Sequence, residues 1–524
     1  MRKPKLQIIV LFQNLGERQP YVANSPAPPL PGLLLAGLTP DLVEVEVLHE
    51  MVRPIDYDTD ADFIALSFMD YCFPHARRVA QRFRRRGTKV IAGDRYASTF
   101  PHELLPYFDA VVVGEAPCVW PQVVEDRVSG RLKKVYQAPL APSLENIPPP
   151  RYDLAEPEFM TPIVTEATRG CPFRCTYCAL NILPTAHPCR PIEDVIRDLK
   201  AVDRLPFHKR KTAMFYDNNF AGDMGYAKEL LREIAKLDYW AIGFQFTFNC
   251  LKDDEFVDLL QQAHGAMAFI GLESLNQPSL YAVQKRQNKV HEYQEMFRKL
   301  RERGIVTFTG MMLALEEDTT EYSRTLPERL EEVDPSAVLL SISIPIPGTP
   351  FAREGEDQGR VFDPDLSHYE GDHLVFLPHH VSPDDVFDAY HRINRTFYSW
   401  PNILQRGGRL VWSYLRRGRG AARFVRWALI ALIFLKVSLF ERDHAKQKVY
   451  AVSRKNRAEV KARLAAWSPG AGRGTVEVDE GQPLDRDQRV GRGEDDGPGG
   501  QLPGPEPGSR RSLSSVTFST RSRE

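Results

Sequence analysis

Short apolar runs of strand length alternate with helical segments along most of this 524-residue chain. That alternation restricts the fold more than any other feature. Residues 6–12, 43–48, 62–68, 89–92 and 110–113 read as strands, apolar and rich in β-branched side chains. Helical patterns at 28–38, 75–86 and 101–107 fall between them. Strands separated by helices cannot pair as hairpins, so they are expected to form a parallel sheet covered by helices on both faces. A second series starts at 163, with strands expected at 163–167, 213–216, 241–247, 266–272, 305–313 and 337–344. Its helices are expected at 193–202, 226–237, 254–263, 291–303 and 320–333. Such units make a partial (β/α)6 barrel, whose functional groups would collect at the C-terminal strand ends. A proline-rich stretch at 139–160 reads as an extended linker between the two series.

Three thiols follow the first barrel strand. Cys171, Cys175 and Cys178 stand in the spacing C-x3-C-x2-C, with Gly170 and Pro172 helping the loop turn. Thiolates are soft ligands that suit zinc or iron–sulfur clusters. A cubane cluster normally takes four Cys, so three would leave one iron open. A zinc knuckle with His187 or Cys189 as fourth ligand is the alternative, as are plain buried thiols. Seven Cys, three of them clustered, fit a reducing cytosol and metal binding better than a disulfide framework.

The run from Cys171 to Cys178, with aromatic Tyr177 before the last Cys, resembles the cluster loop of the radical S-adenosylmethionine (radical SAM) enzymes. The resemblance implies a [4Fe–4S] cluster on Cys171, Cys175 and Cys178. SAM would chelate its open iron and be cleaved reductively to a 5′-deoxyadenosyl radical. It also implies SAM contacts from Tyr177, from Asp217, Asn218 and Asn219 after the second barrel strand, from Glu273 and Ser274 after the fourth, and from Leu313 on the fifth. Read without the family, Asp217–Asn219 could be an Asx-turn or helix cap, Glu273-Ser274 a buried cap, and Asp318-Thr319 the cap of the next helix. Met311 and Met312 read as core. Residues 284–288 add polar groups near SAM in relatives, a weaker signal. Residues 345–350, P-I-P-G-T-P, suit a rigid turn closing the open side of the barrel.

The first series is also familiar. Residues 29–38 (PLPGLLLAGL), 62–68 (DFIALSF) and 108–117 (FDAVVVGEAP) resemble the N-terminal cobalamin-binding domain of class B radical SAM proteins. The resemblance implies a Rossmann-like domain with cobalamin against the strand ends at Ser67, Gly93, Gly114 and Glu115. Two departures stand out. No D-x-H-x-x-G motif supplies a lower cobalt ligand, and Ala92-Gly93-Asp94-Arg95 stands where relatives carry G-G-x-H. The expected organisation is therefore α/β: a Rossmann-like domain at 1–138, a linker at 139–160 and a radical SAM barrel at 161–355. A helical region at 356–467 and a disordered tail at 468–524 follow, the tail being too poor in apolar residues to offset its ordering entropy. The expected function is methyl transfer from methylcobalamin to an unactivated carbon of a small, lipophilic molecule in a biosynthetic pathway. Flavodoxin or ferredoxin would supply the electron. A non-methylating cyclase or rearrangement enzyme with a vestigial cobalamin domain, and a zinc-binding scaffold, are the alternatives.

A net charge of −1 gives no global basic field, so a nucleic-acid partner is not expected. The basic, then apolar N-terminus is too short and interrupted for a secretory signal and reads as the first strand. His373, His379, His380 and His391 precede or occupy an amphipathic helix at 384–398 and suit loop or cap duties rather than metal. Residues 406–440 are Arg-rich and then apolar. The apolar run is shorter than the ~20 residues that span a bilayer, and Lys436 interrupts it. It reads in two ways. The preferred one is a buried helix with a solvated Arg face. The other is an interfacial helix touching anionic lipid, which would place a cytoplasmic protein at the inner membrane face.

Overall fold

A computed structural model describes residues 2–12, 27–139, 143–159, 161–182, 187–202, 205–416, 428–442 and 457–467. These all fall within one compact unit, Met1–Arg473. The tail expected at 468–524 lies outside the described residues.

The first sheet contains β1 (Lys5–Val10), β2 (Glu44–His49), β3 (Phe63–Ser67), β4 (Lys89–Gly93), β5 (Ala110–Val113) and β6 (Val135–Gln137), in the order β2-β1-β3-β4-β5-β6. Every pairing is parallel. The inner strands β3 and β5 are buried at every position, as a sheet covered on both faces requires. The helix Phe73–Arg85 shows how sequence becomes packing. Phe73, Ala76, Val79, Ala80 and Phe83 recur at helical spacing and are buried, while its arginines occupy the other face. Strand order reverses between β1 and β3, and in such sheets a crevice opens outside the C-terminal strand ends at that point.

The second sheet runs β7 (Ile163–Thr165), β8 (Thr212–Phe215), β9 (Ala241–Phe246), β10 (Gly265–Glu273), β11 (Val306–Leu313) and β12 (Ala337–Ile342), paired in sequence order. All five pairings are parallel. Helices Ile192–Lys200, Met224–Ile234, Asp254–Gln262, Tyr293–Glu302 and Thr320–Val333 alternate with them. Thr319 caps the last of these through Tyr322 N, as its sequence suggests.

The proline-rich stretch is not a loose spacer. Ile147, Tyr152 and Phe159 are buried, and Arg151 N donates to Leu33 O at 3.0 Å. Glu156 accepts from His49 N at 2.6 Å and pairs with His49 Nδ1 at 2.5 Å, with both side chains buried. Gly37 makes this docking possible, because a Cβ there would lie 2.4 Å from Pro149 O.

Several elements escape the sequence pattern: Arg95–Thr99, Trp120–Val128 with β6, Gln277–Ala282, Pro350–Asp357 and Trp400–Arg416. The first and third are too short to show a helical period. Pro at a helix start in three of the five reads as easily as a loop signal. The helix Pro383–Phe397 packs on Thr320–Val333. Residues 428–442 form a helix with one face buried and the other exposed. Ile430 and Phe434 are buried with Ile403, Leu410 and Tyr414, but Leu432 and Leu435 are exposed. No helix among the described residues is long and apolar enough to cross a membrane.

Candidate active site

The thiol loop leaves β7 at its C-terminal end and is fastened from four sides. Asp217, following β8, accepts from Ala167 N at 3.0 Å and Thr168 N at 2.6 Å, and from the Thr168 hydroxyl at 2.7 Å. Asn218 Oδ1 accepts from Gly170 N at 3.1 Å. Gly170 has φ +77, so a residue without Cβ makes the turn into Cys171. Arg190, buried against Asp198, donates to Glu166 O at 2.9 Å, and its backbone N–H donates to Ala167 O. On the far side, Thr176 N donates to Val283 O and Thr176 O accepts from Phe351 N. A loop this constrained can hold its ligands in one geometry.

The surroundings of the thiols suit an anionic cluster. Asn219 Nδ2 lies 3.8 Å from Cys171 Sγ, and Gln287 Nε2 lies 3.8 Å from Cys175 Sγ. Burial pushes the Cys171 thiol up and that of Cys178 up to about 11, and the Phe173 and Leu180 backbone N–H groups work against that rise. Lys285, 5% exposed, brings a cation beside all three Cys. Burial works against that charge, but Glu273 and the neighbouring thiols outweigh it and raise the Lys285 pKa. Hydrogen bonds and cations around cluster sulfurs stabilise their charge. Asn219 Oδ1 is buried without a partner beside this donor set, an acceptor aimed where a ligand's N–H could sit.

A single zinc would ask for four ligands drawn together on one ion at about 2.0–2.3 Å. Among the described residues no three His, Cys, Asp or Glu side chains are drawn together closely enough for one metal ion, the three loop thiols included. His187 Nδ1 faces Gly170 O at 3.1 Å. Cys189 pairs through its backbone with Thr168, and burial pushes its thiol up to about 11, with Asp223 and Asp217 adding to the shift.

The residues expected at SAM fall into two groups. Tyr177, Glu273, Asn218 and Asn219 converge on the thiol loop. Glu273 stands at a bulge in β10 with φ +63 and pairs with Lys285 at 2.6 Å; Lys285 Nζ also donates to the Tyr177 hydroxyl at 3.2 Å. Burial, with the Glu273 charge next, pushes the Tyr177 hydroxyl well above its ordinary value. Gly271 leaves room for this pair, because a Cβ there would lie 2.2 Å from Glu273 Oε1 and 2.8 Å from Lys285 Nζ. Asp217, Ser274 and Leu313 are committed to the scaffold. Asp217 holds the loop, and burial pushes its carboxyl up to about 7 against those hydrogen bonds. Ser274 Oγ meets Tyr322 OH at 3.0 Å and accepts from Asn276 N. Leu313 is buried, and its carbonyl accepts from Ser343. Asp318 accepts from Ser279 Oγ and Leu315 N, bracing the turn after β11.

At the first sheet's strand ends, Ser67 and Gly93 are register partners. Ser67 Oγ donates to Asp94 Oδ2 at 2.8 Å. Asp94 has φ +102 and caps the helix Arg95–Thr99, while Arg95 pairs with Asp70. Arg95 Nη1 is buried without a partner. Gly114, φ +83, donates its N–H to Ser98 Oγ. Glu115 points to the other sheet: Arg169 Nη1 lies 2.8 Å from Glu115 Oε2, and Arg169 also grips Glu166. Arg169 was not singled out in the sequence. Its position two residues before Cys171 was the available signal.

Residues 165–326 match the Radical SAM superfamily, so the second sheet carries a radical SAM domain, the mark of radical SAM enzymes. Such enzymes use SAM and a [4Fe–4S] cluster. Among similar proteins, bacteriochlorophyllide d C-12(1)-methyltransferase of Chlorobaculum tepidum is 24% identical over 72% of this chain and 84% of its own. Hopanoid C-2 methylase of Rhodopseudomonas palustris is 25% identical over 67% of this chain and 68% of its own. In fold, the chain is similar to the radical SAM methyltransferase TsrM of Kitasatospora setae, solved with cobalamin and a [4Fe–4S] cluster. The TM-score is 0.53, with 18% identity, covering 68% of this chain and 75% of that one. It is also similar to the cobalamin-dependent radical enzyme OxsB with aqua-cobalamin, at TM-score 0.56 and 14% identity over 88% and 81%.

Proposed function

We propose that this chain is a cobalamin-dependent radical SAM methyltransferase that methylates an unactivated carbon of a small, lipophilic biosynthetic substrate. The observation carrying the reading is the Arg169–Glu115 ion pair. It sets the C-terminal strand ends of the first sheet against the thiol loop of the second. Two cofactors held at those ends could then reach one substrate between them. The names of similar proteins support methylation, and two solved structures of similar fold contain cobalamin.

When bound, the cluster and SAM supply a carbon-centred radical oxidant, and cobalamin supplies the methyl group. Cys171, Cys175 and Cys178 would hold the cluster, with Asn219 and Gln287 hydrogen-bonding its sulfur ligands. Asn218, Asn219 Oδ1 and the Glu273–Lys285–Tyr177 set would orient SAM beside it. Gly93, lacking a side chain, would leave the first sheet's edge open to a corrin, Gly114, whose missing Cβ faces Ala138, would offer only backbone, and Arg95 Nη1 would donate to the corrin's periphery. Ser67 would act through Asp94, and Glu115 through Arg169. The reading assigns cobalamin to a domain at 1–138 and the cluster to one at 161–355, joined by 139–160. A flavodoxin or ferredoxin of the cytoplasm would deliver the electron.

The test is anaerobic purification with added cobalamin, followed by iron, sulfide and cobalt analysis. About four irons per chain are expected for a cubane, along with transfer of labelled methyl from SAM to product. One zinc and no visible absorbance would remove the reading. Cofactor loading with SAM cleavage but no methyl transfer would shift it to a cyclase or rearrangement.

A further inference from the structure

The helices Trp400–Arg416 and 428–442 dock on one another and on the beginning of β11. Ile403, Leu410 and Tyr414 pack with Ile430 and Phe434 against Val306. Gly407 permits the close approach, since a Cβ there would lie 2.9 Å from Phe434. The face turned towards the protein also contains Ser438 and Glu441, at 0% and 4% exposure. The outward face carries Leu404 at 67%, Trp412 at 63%, Leu432 at 50% and Leu435 at 39% exposure. A surface helix normally turns its apolar stripe inward; residues 428–442 do so with Ile430 and Phe434, but they also place Ser438 and Glu441 inside and leave Leu432 and Leu435 outside. An apolar patch of this kind marks an interaction surface.

Charge identifies the occupant. Between Trp400 and Phe440 the sequence has eight Arg or Lys and no Asp or Glu; of these, Arg406 is buried against Phe397 and Arg409 pairs with Asp334, which leaves at most six for a partner. The Arg442 guanidinium lies 4.2 Å over the Trp400 ring, and that of Arg416 lies 5.8 Å from the centre of the Trp412 ring. Leucines flanked by Trp rings and cations match what an interfacial helix presents to a bilayer, with rings at headgroup level and cations on anionic lipid. We propose that this face is a docking surface for an anionic lipid membrane. The protein would lie on the bilayer rather than through it. Val306 begins β11, and eight residues at strand rise put its far end about 25 Å away. The membrane would therefore hold the barrel near its N-terminal strand ends and leave the thiol-loop end open. This inference stands whether or not the proposed methylation is correct.

The experiment is flotation of the full chain with vesicles of phosphatidylcholine alone and with added phosphatidylglycerol. Binding is expected only with phosphatidylglycerol and should weaken with salt. Trp412→Glu and Leu432→Glu should each weaken it roughly tenfold, as loss of one buried apolar side chain predicts. Phe207→Glu, which alters a residue 66% exposed on the barrel, should leave it unchanged. If either ridge variant melts early, Leu404→Gln serves in its place. No flotation, or flotation indifferent to the ridge variants, would overturn the proposal. So would light scattering that shows a dimer split by those variants, because a second copy would then own the face.

Discussion

The Arg169 guanidinium lies between Glu115, which follows β5, and Glu166, which follows β7, and so joins the first sheet to the thiol loop across 54 residues of sequence. Arg169 and Glu166 are mostly buried, while Glu115 is more open. Charge-assisted bonds in such a setting are stronger than those in water. Both carboxylates raise the Arg169 pKa despite burial, so this cation is permanent.

Glu115→Gln should leave iron loading unchanged, because Glu166 still holds Arg169. Methyl transfer should fall roughly tenfold to a hundredfold, the penalty for a small misplacement of reacting groups. Iron analysis beside single-turnover label transfer separates the two effects. Equal loss of both would place Glu115 in loop folding instead.

Asp217 gives the apoprotein a pH-dependent stability. Burial raises its carboxyl to about 7, above the unfolded value of 3.8. Between these values the folded state binds the extra proton, so stability falls as pH rises from about 4 to about 7. The loss is on the order of 4 kcal/mol at about 1.4 kcal/mol per unit. Thermal melts across that range should show the slope, and Asp217→Asn should flatten it.

Gly271→Ala should drive apart the Glu273–Lys285 pair, since the new methyl group would overlap both. Overpacking of this kind costs about 1–3 kcal/mol. Denaturant melts should show that loss, and SAM affinity measured by equilibrium binding should fall. Gly243→Ala would meet only the flexible Met214 and Met267 side chains, so it should affect stability more than SAM binding.

Gly37→Ala would set a methyl group against the Pro149 carbonyl. Backbone cannot yield as a side chain can, so the 147–159 segment should lift from the helix Leu30–Leu38. Calorimetry should show a lower Tm, and limited proteolysis should show new cleavage near Pro149. An unchanged digest would mean that the segment's other anchors, the His49–Glu156 pair among them, suffice.

Most of the fold was legible because its signals are local. A buried parallel strand needs a continuous apolar run, and a covering helix needs a 3.6-residue stripe. Both are visible in stretches such as 62–68 and 320–333. That three thiols share one place was legible for a similar reason, since Cys171, Cys175 and Cys178 lie on one short loop whatever else the chain does. The other site residues were harder to read. Asp217 and Asn219 are neighbours in sequence with similar chemistry, yet one carboxylate is committed to the loop backbone and the other side chain keeps a free buried acceptor. Glu273 and Ser274 likewise turn to opposite surroundings, one towards Lys285 and the other towards Tyr322. Which way each side chain points depends on a bulge and on partners many residues away.

The sequence by itself determined two parallel α/β series, the loop that can carry three thiols, and the apolar run near 430. Tertiary structure decided how they combine. Arg169 acquires its role only when Glu115 is brought across from another sheet, and Lys285 becomes a buried cation only when β10 bulges towards Tyr177. The helix at 428–442 shows leucine to solvent only because its other face is already packed on Phe434's neighbours. Periodicity and spacing are short-range properties of a chain. Burial, ion pairing and exposure are set by what the rest of the chain places alongside.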